Sequence, residues 1–308
     1  MRMSSNKIST IVRNLIALYA LRLEFLLGGQ LAPEAVVRKA GQLFTRPYPS
    51  SRRRALAAPT HDAVEVDLDV DGTAIHTYRW GDPRREPYVL FAHGWSSHGT
   101  RIGPWIAPLR AAGYAVVAFD QAAHGKSAGT HTTLPDFTCH LLAVGRHFGP
   151  AALVIGHSLG GAAAALALAR GLEAQRAVLI APPADPLAAV ERFSRFMWLT
   201  GYLGRRMFAL FEEAMRFDAG ELQAHRNAPR IGRPALIVHD VEDREVPWSE
   251  GERYARFWHD SRLLSTRGLG HNRIAEDAGV IAAALRFLHG EAVGERVVSS
   301  PNLPYGFA

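Results

Sequence analysis

Between residues 63 and 290, short runs rich in β-branched residues alternate with segments long enough to be helices. No other feature narrows the fold as much. Ala63–Val70 reads A-V-E-V-D-L-D-V, with polar and apolar positions alternating as in a half-exposed strand. Asp71-Gly72 is a hairpin turn pair, and Thr73–Trp80 is the partner strand. Tyr88–Ala92, Tyr114–Phe119, Ala152–Ile155, Ala177–Ile180 and Ala235–His239 are short and apolar, as parallel strands buried on both faces should be. Leu263–Thr266 reads as a last strand. The segments Ile102–Ala112, Leu134–Phe148, Leu159–Arg170, Trp248–Phe257 and Ile274–Leu288 are long enough for crossover helices. The expected fold is α/β: a mostly parallel sheet of about eight strands, an opening antiparallel hairpin, and helices on both faces.

One interval breaks the rhythm. Pro182–Pro234 shows no strand pattern and holds aromatic and methionine residues at helical spacing, among them Phe193, Met197, Trp198, Met207, Phe211 and Phe217. It is too long for a plain loop in a compact domain. The expectation is a helical insertion at about 182–234 within a domain spanning 61–290, followed by a C-terminal tail at 291–308. Such residues mainly serve packing. Phe193, Met197 and Trp198 are also candidates to line a substrate pocket.

The charge is unevenly placed. The net charge is +6 over 308 residues, but residues 1–60 hold ten Lys/Arg and two Asp/Glu, against 25 and 27 in the remainder. The body is therefore close to neutral, which argues against a generally basic nucleic-acid-binding domain. Residues 1–60 read as an N-terminal amphipathic and basic extension. Ile8, Ile11, Val12, Leu15, Leu18, Tyr19, Leu23 and Leu26 lie largely opposite a polar arc, although Arg22 falls among them. Gly28-Gly29 is the expected helix stop, and Pro47-Tyr48-Pro49-Ser50-Ser51 the expected linker. Arg13, Arg22 and Glu24 interrupt the run that a membrane span or signal peptide would need. Two readings stand: the helix packs on the body or a second subunit, or residues 1–55 make peripheral contact with an anionic membrane surface. Cys139 is the only cysteine, so no intrachain disulfide or cysteine-based metal site forms. The expected location is cytoplasmic, with any membrane contact at the inner face.

The chemistry begins at Gly156-His157-Ser158-Leu159-Gly160, between an apolar run and an alanine-rich helix. A serine on a tight strand-to-helix turn projects its hydroxyl from the carboxyl edge of the sheet, and flanking glycines relieve the crowding. The helix N-terminus behind it offers free N–H groups to a developing oxyanion. A serine hydroxyl needs a base to become a nucleophile. Downstream come His239-Asp240-Val241-Glu242-Asp243-Arg244-Glu245-Val246-Pro247 and then Gly268-Leu269-Gly270-His271-Asn272. The order serine, acid, histidine is one of the known orders of the catalytic triad. Asp240, Glu242 and Asp243 all lie in the loop that must supply the acid.

With these motifs in place, residues 63–290 resemble the α/β-hydrolase superfamily, in particular its capped, serine esterase and lipase-like members. His93-Gly94-Trp95 resembles the oxyanion loop, and Asp120 with His124-Gly125-Lys126-Ser127 resembles the D-x-x-x-H-G-x-S segment. Gly156–Gly160 resembles the nucleophile elbow. The resemblance implies a triad of Ser158, Asp243 and His271, with Asp243 favoured over its neighbours by Val246-Pro247. It also implies an oxyanion hole from the Trp95 and Leu159 N–H groups. It makes the insertion a cap, and substrate contacts are expected from Trp95, Phe193, Met197 and Trp198. No cofactor or metal is implied. The expected activity is hydrolysis of a carboxylic ester, or thioester, of a small molecule with an apolar acyl group, through an acyl-enzyme. Carbon–carbon bond hydrolysis, cofactor-free haloperoxidation and non-catalytic binding are the alternatives on the same framework.

Overall fold

The computed structural model describes residues 5–215 and 218–297. Phe217 and the expected tail beyond residue 297 lie outside the described residues. In chain order the elements are α1 (Ser5–Leu31), α2 (Pro33–Phe44), α3 (Pro49–Leu56), β1 (Val64–Val70), β2 (Thr73–Trp80), β3 (Tyr88–Ala92), α4 (Gly103–Ala111) and β4 (Ala115–Phe119). Then follow α5 (Leu134–Phe148), β5 (Ala151–His157), α6 (Leu159–Ala169), β6 (Ala174–Ile180), α7 (Pro186–Met197), α8 (Gly201–Met215) and α9 (Ala224–Asn227). The chain continues through β7 (Ala235–Asp240), α10 (Trp248–Phe257), β8 (Ser261–Thr266), α11 (Gly270–Arg273) and α12 (Ala278–Leu288).

Among the described residues, eight strands form one sheet in the order β1-β2-β4-β3-β5-β6-β7-β8. The hairpin β1–β2 is antiparallel, β2 pairs antiparallel with β4, and every other pairing is parallel. Asp71 and Gly72 turn the hairpin at φ 50° and 80°, the positive values a two-residue turn demands. In the central strands the side chains alternate between two buried faces. Leu90, Val117, Val154, Leu179 and Ile237 meet α5, α6 and α10 on one side. Phe91, Val116, Ile155, Val178 and Val238 meet α4 and α12 on the other. That double coverage is why these strands read as unbroken apolar runs.

The chain forms two compact units. The larger comprises Arg46–Asp185 and the chain from Gly220 onward, and contains the whole sheet. The smaller comprises Met1–Thr45 and Pro186–Ala219. It is helical, with Phe25, Val37, Ala40, Met197, Leu203 and Met207 among its buried residues. The insertion between β6 and β7 contains no strand among the described residues, and only its 186–219 portion belongs to the small unit.

Three local expectations are corrected. The 1–60 extension divides at Thr45, because α2 buries Val36, Val37 and Ala40 in the small unit whereas α3 belongs to the large one. The expected linker is a helix from Pro49, where proline at the first helical position is tolerated. It is held by Arg52, whose guanidinium donates to the carbonyls of Gly125, Ser127 and Gly129. The helix also runs through Gly28-Gly29 to Leu31. A Cβ at Gly28 would meet Val36 at 3.0 Å, and one at Gly29 would meet Leu203 at 2.8 Å, so these glycines permit close helix packing instead of ending α1.

Candidate active site

β5 ends at His157 and α6 begins at Leu159, so Ser158 alone makes the turn. Its φ of 53° and ψ of −125° lie where L-residues rarely go. The neighbouring glycines make the turn feasible. A Cβ at Gly156 would sit 2.4 Å from the Gly160 carbonyl oxygen, and one at Gly160 would sit 2.2 Å from that of Ala92. The strain aims the hydroxyl outward at the carboxyl end of the sheet, where open α/β sheets bind ligands.

His271 lies in the short α11, reached from β8. Its Nε2 is 2.9 Å from Ser158 Oγ, and its Nδ1 is 2.7 Å from Asp243 Oδ2. Asp243 follows β7, and its Oδ1 accepts the N–H groups of Glu245 at 2.8 Å and Val246 at 3.0 Å. Burial pushes the Asp243 carboxyl up. The His239 ring close by, the hydrogen bond from His271 and the Val246 N–H outweigh this and hold it well below the usual carboxylate range. Asp243 therefore stays ionised and takes the Nδ1–H of His271, which leaves Nε2 free to accept the serine proton. The three residues have the connectivity of a nucleophile, a base and an orienting acid.

The other two acids are placed differently. Asp240 Oδ2 accepts the Thr266 hydroxyl at 2.7 Å and the Leu269 N–H at 3.0 Å, while Oδ1 accepts the Glu242 N–H at 3.0 Å. It thereby ties the end of β7 to the loop that carries His271. Glu242 is exposed.

A set of buried, neutral histidines frames the serine. His157 donates Nε2–H to the His271 carbonyl at 2.9 Å. His93 donates Nδ1–H to the Gly94 carbonyl at 2.7 Å and accepts the Gln121 N–H at 3.0 Å. His124 donates to the Ala122 carbonyl at 3.0 Å and accepts the Ser96 N–H at 2.9 Å. Burial pushes all three imidazoles down to about 3. Asp120 accepts from the Tyr78 hydroxyl and from the Gly99 and Lys126 N–H groups, so the D-x-x-x-H-G-x-S segment is a tightly bonded turn. His93 and His124 fix the loop from Gly94 to Ser96. A Cβ on Gly94 would come within 2.9 Å of Ser158 Cβ, so this loop lies against the nucleophile.

Trp95 sits in that loop and Leu159 at the first position of α6. Neither N–H has a backbone acceptor among the described residues, which leaves both able to serve an oxyanion. The Trp95 ring is half-buried, stacked near Phe137 at 6.4 Å and edge-on to His124 at 5.4 Å. Phe193, Met197 and Trp198 lie in the small unit. Phe193 packs edge-to-face on Phe44 at 5.1 Å, Met197 is buried, and Trp198 is exposed. A cavity of about 290 Å³ opens at His271, lined by Glu242, Arg244, Glu245 and Arg273. Among the described residues, no three His, Cys, Asp or Glu side chains are grouped to hold a metal ion.

Sequence reasoning missed two supports. His157, inside the Gly156–Gly160 motif, fixes the backbone of His271. His239 is fully buried, donates Nε2–H to the Val246 carbonyl at 3.0 Å and lies 3.5 Å from Asp243 Oδ2. Its position four residues before Asp243 was the available signal.

Solved structures of similar fold span several chemistries. A membrane phospholipase A, described as a bacterial virulence factor, is 18% identical at TM-score 0.58, covering 92% of this chain and 98% of that one. A 2-hydroxy-6-oxo-6-phenylhexa-2,4-dienoate hydrolase from Rhodococcus sp. strain RHA1 is 18% identical at TM-score 0.56, covering 74% and 99%. A monoacylglycerol lipase from Paleococcus ferrophilus is 22% identical at TM-score 0.54, covering 70% and 98%. At these identities the shared property is the fold. No curated protein matches the sequence. The sequence model of the alpha/beta hydrolase family matches residues 89–284, which include all of the motifs above, and the chain belongs to that family.

Proposed function

We propose that the protein is a serine hydrolase that cleaves a carboxylic ester, or thioester, through an acyl-enzyme. One observation carries this reading: the continuous bonding of Asp243 to His271 at 2.7 Å and of His271 to Ser158 at 2.9 Å. His271 takes the Ser158 proton as Oγ attacks the acyl carbon, then gives it to the leaving alkoxide or thiolate. Asp243 fixes the imidazole tautomer and balances the imidazolium. The Trp95 and Leu159 N–H groups receive the oxyanion, assisted by the α6 N-terminus. Water, activated by the same histidine, releases the acid. No cofactor has a part in this cycle.

An apolar acyl group is favoured by the half-buried Trp95 ring beside the elbow. A free, exposed Cys139 suits a reducing, cytoplasmic setting. The test is labelling by a fluorophosphonate together with turnover of p-nitrophenyl esters from acetate to octanoate. Wild-type protein is expected to label and to prefer the longer esters, and Ser158→Ala to do neither. Labelling without ester turnover, joined to cleavage of a vinylogous diketone, would replace this reading by carbon–carbon bond hydrolysis.

A further inference from the structure

Among the described residues, helix α1 carries two apolar faces, one covered and one exposed. Leu18, Leu21 and Phe25 pack into the core of the small unit. Val12, Leu15, Ile16, Leu23, Leu26 and Leu27 are instead 44–65% exposed. At about 100° and 1.5 Å per residue they share one arc roughly 120° wide and about 22 Å long. Tyr19 lies at the middle of that arc, with its ring edge-on to the exposed Trp198 at 5.8 Å.

Two arginines flank the stripe. Arg13 is exposed on one side. On the other, Arg22 spans the rings of Tyr19, Phe196 and Trp198 at 4.7–5.4 Å and donates Nε–H to the Phe196 carbonyl at 2.7 Å. The cation at the edge of the apolar arc is thus held among aromatic rings. The small unit has eleven Lys/Arg against six Asp/Glu, whereas the large unit has 24 against 23.

Soluble proteins rarely leave so continuous an apolar surface in water. Aliphatic side chains, central Tyr and Trp rings and flanking guanidinium groups match the layers of a bilayer surface: acyl boundary, headgroup level and phosphate. The surplus of cations selects an anionic leaflet. No helix among the described residues is long and apolar enough to cross a membrane.

We propose that the small unit docks on an anionic phospholipid bilayer, with α1 lying in its plane and the 12–27 stripe sunk to the acyl boundary. This surface is independent of the hydrolase reading. Truncating residues 1–55 would expose Leu203 and Met207 of the small-unit core, so point substitutions are the better test. Full-length protein is sedimented with phosphatidylcholine vesicles, with or without about 30% phosphatidylglycerol. Binding is expected to the anionic vesicles and to weaken with salt. The double substitution Leu23→Glu, Leu27→Glu is expected to lower partitioning at least about tenfold. Its melting temperature and its rate on a water-soluble p-nitrophenyl ester should match wild type. Ile16→Glu, at the most exposed stripe position, provides a second variant if the double one misfolds. The proposal is overturned if wild type ignores anionic vesicles, or if both variants bind like wild type. It is also overturned if ultracentrifugation shows a dimer that the substitutions dissociate while vesicle binding is absent.

Discussion

Asp240 ends β7 and Asp243 follows three residues later, yet only Asp243 bonds the His271 ring. A turn in which the Asp243 N–H donates to the Asp240 carbonyl at 3.1 Å separates their directions. The Glu245 and Val246 N–H groups then hold the carboxylate at the imidazole. Replacing Asp243 by Asn should lower kcat/KM by about 10³–10⁴-fold, since the amide favours the wrong tautomer of His271; the melting temperature should change little by comparison. Asp240→Ala should show the converse balance. It leaves the Leu269 N–H and Thr266 hydroxyl unpaired, costs about 1–3 kcal/mol in denaturant unfolding, and reduces activity only as far as the His271 loop shifts. The serine and histidine were legible because glycines and chain order bracket them. Among the three acids Asp243 was favoured by the resemblance around Val246-Pro247 alone, because which carboxylate meets the imidazole depends on how one short turn curls. The ring partners of Arg22 were hidden for a related reason: helical periodicity places a side chain on a face but does not show which rings lie beside it.

The strands and crossover helices were readable from apolar runs because each central strand is covered on both faces. Close approaches between elements were not, because a glycine's role depends on what it meets. Gly251 on α10 is the clearest case. A Cβ there would fall 2.3 Å from His239 Nδ1 on β7, in a site with no spare room. Gly251→Ala should therefore cost about 1–3 kcal/mol of stability through overpacking. It should also lower kcat, because His239 moves with the Val246 segment that holds Asp243; paired unfolding and kinetic measurements separate the two effects. Helix α3 was hidden in the same way. A Pro-Tyr-Pro-Ser-Ser stretch has the composition of a linker, and its helix is secured from outside, by Arg52 on three carbonyls of the 125–129 loop. Arg52→Ala should cost about 2 kcal/mol in unfolding experiments, as several charge-assisted hydrogen bonds are lost.

Across the whole molecule, His93, His124 and His157 are held neutral, with pKa values near 3 set by burial. Below about pH 6.5 the unfolded chain binds protons at these positions and the native chain does not. Stability should therefore be fully present above that pH and decline toward pH 3, with up to three protons taken up on unfolding from this source. The depressed Asp243 carboxyl adds loss of the same sign at the acid end. Denaturation midpoints at a series of pH values, repeated with His124→Gln, would check the slope. The division into units was the least legible property, because the small unit is assembled from two distant stretches, Met1–Thr45 and Pro186–Ala219. A growing polypeptide completes α1 and α2 long before α7 and α8 exist. At roughly 5–20 residues per second, the interval between Thr45 and Ala219 is on the order of 10–35 s. During that time the side chains of Phe25, Val36 and Val37 lack their eventual neighbours on the ribosome. The protein should therefore depend on a holding chaperone during synthesis, more than a hydrolase of equal size whose N-terminal residues find partners at once.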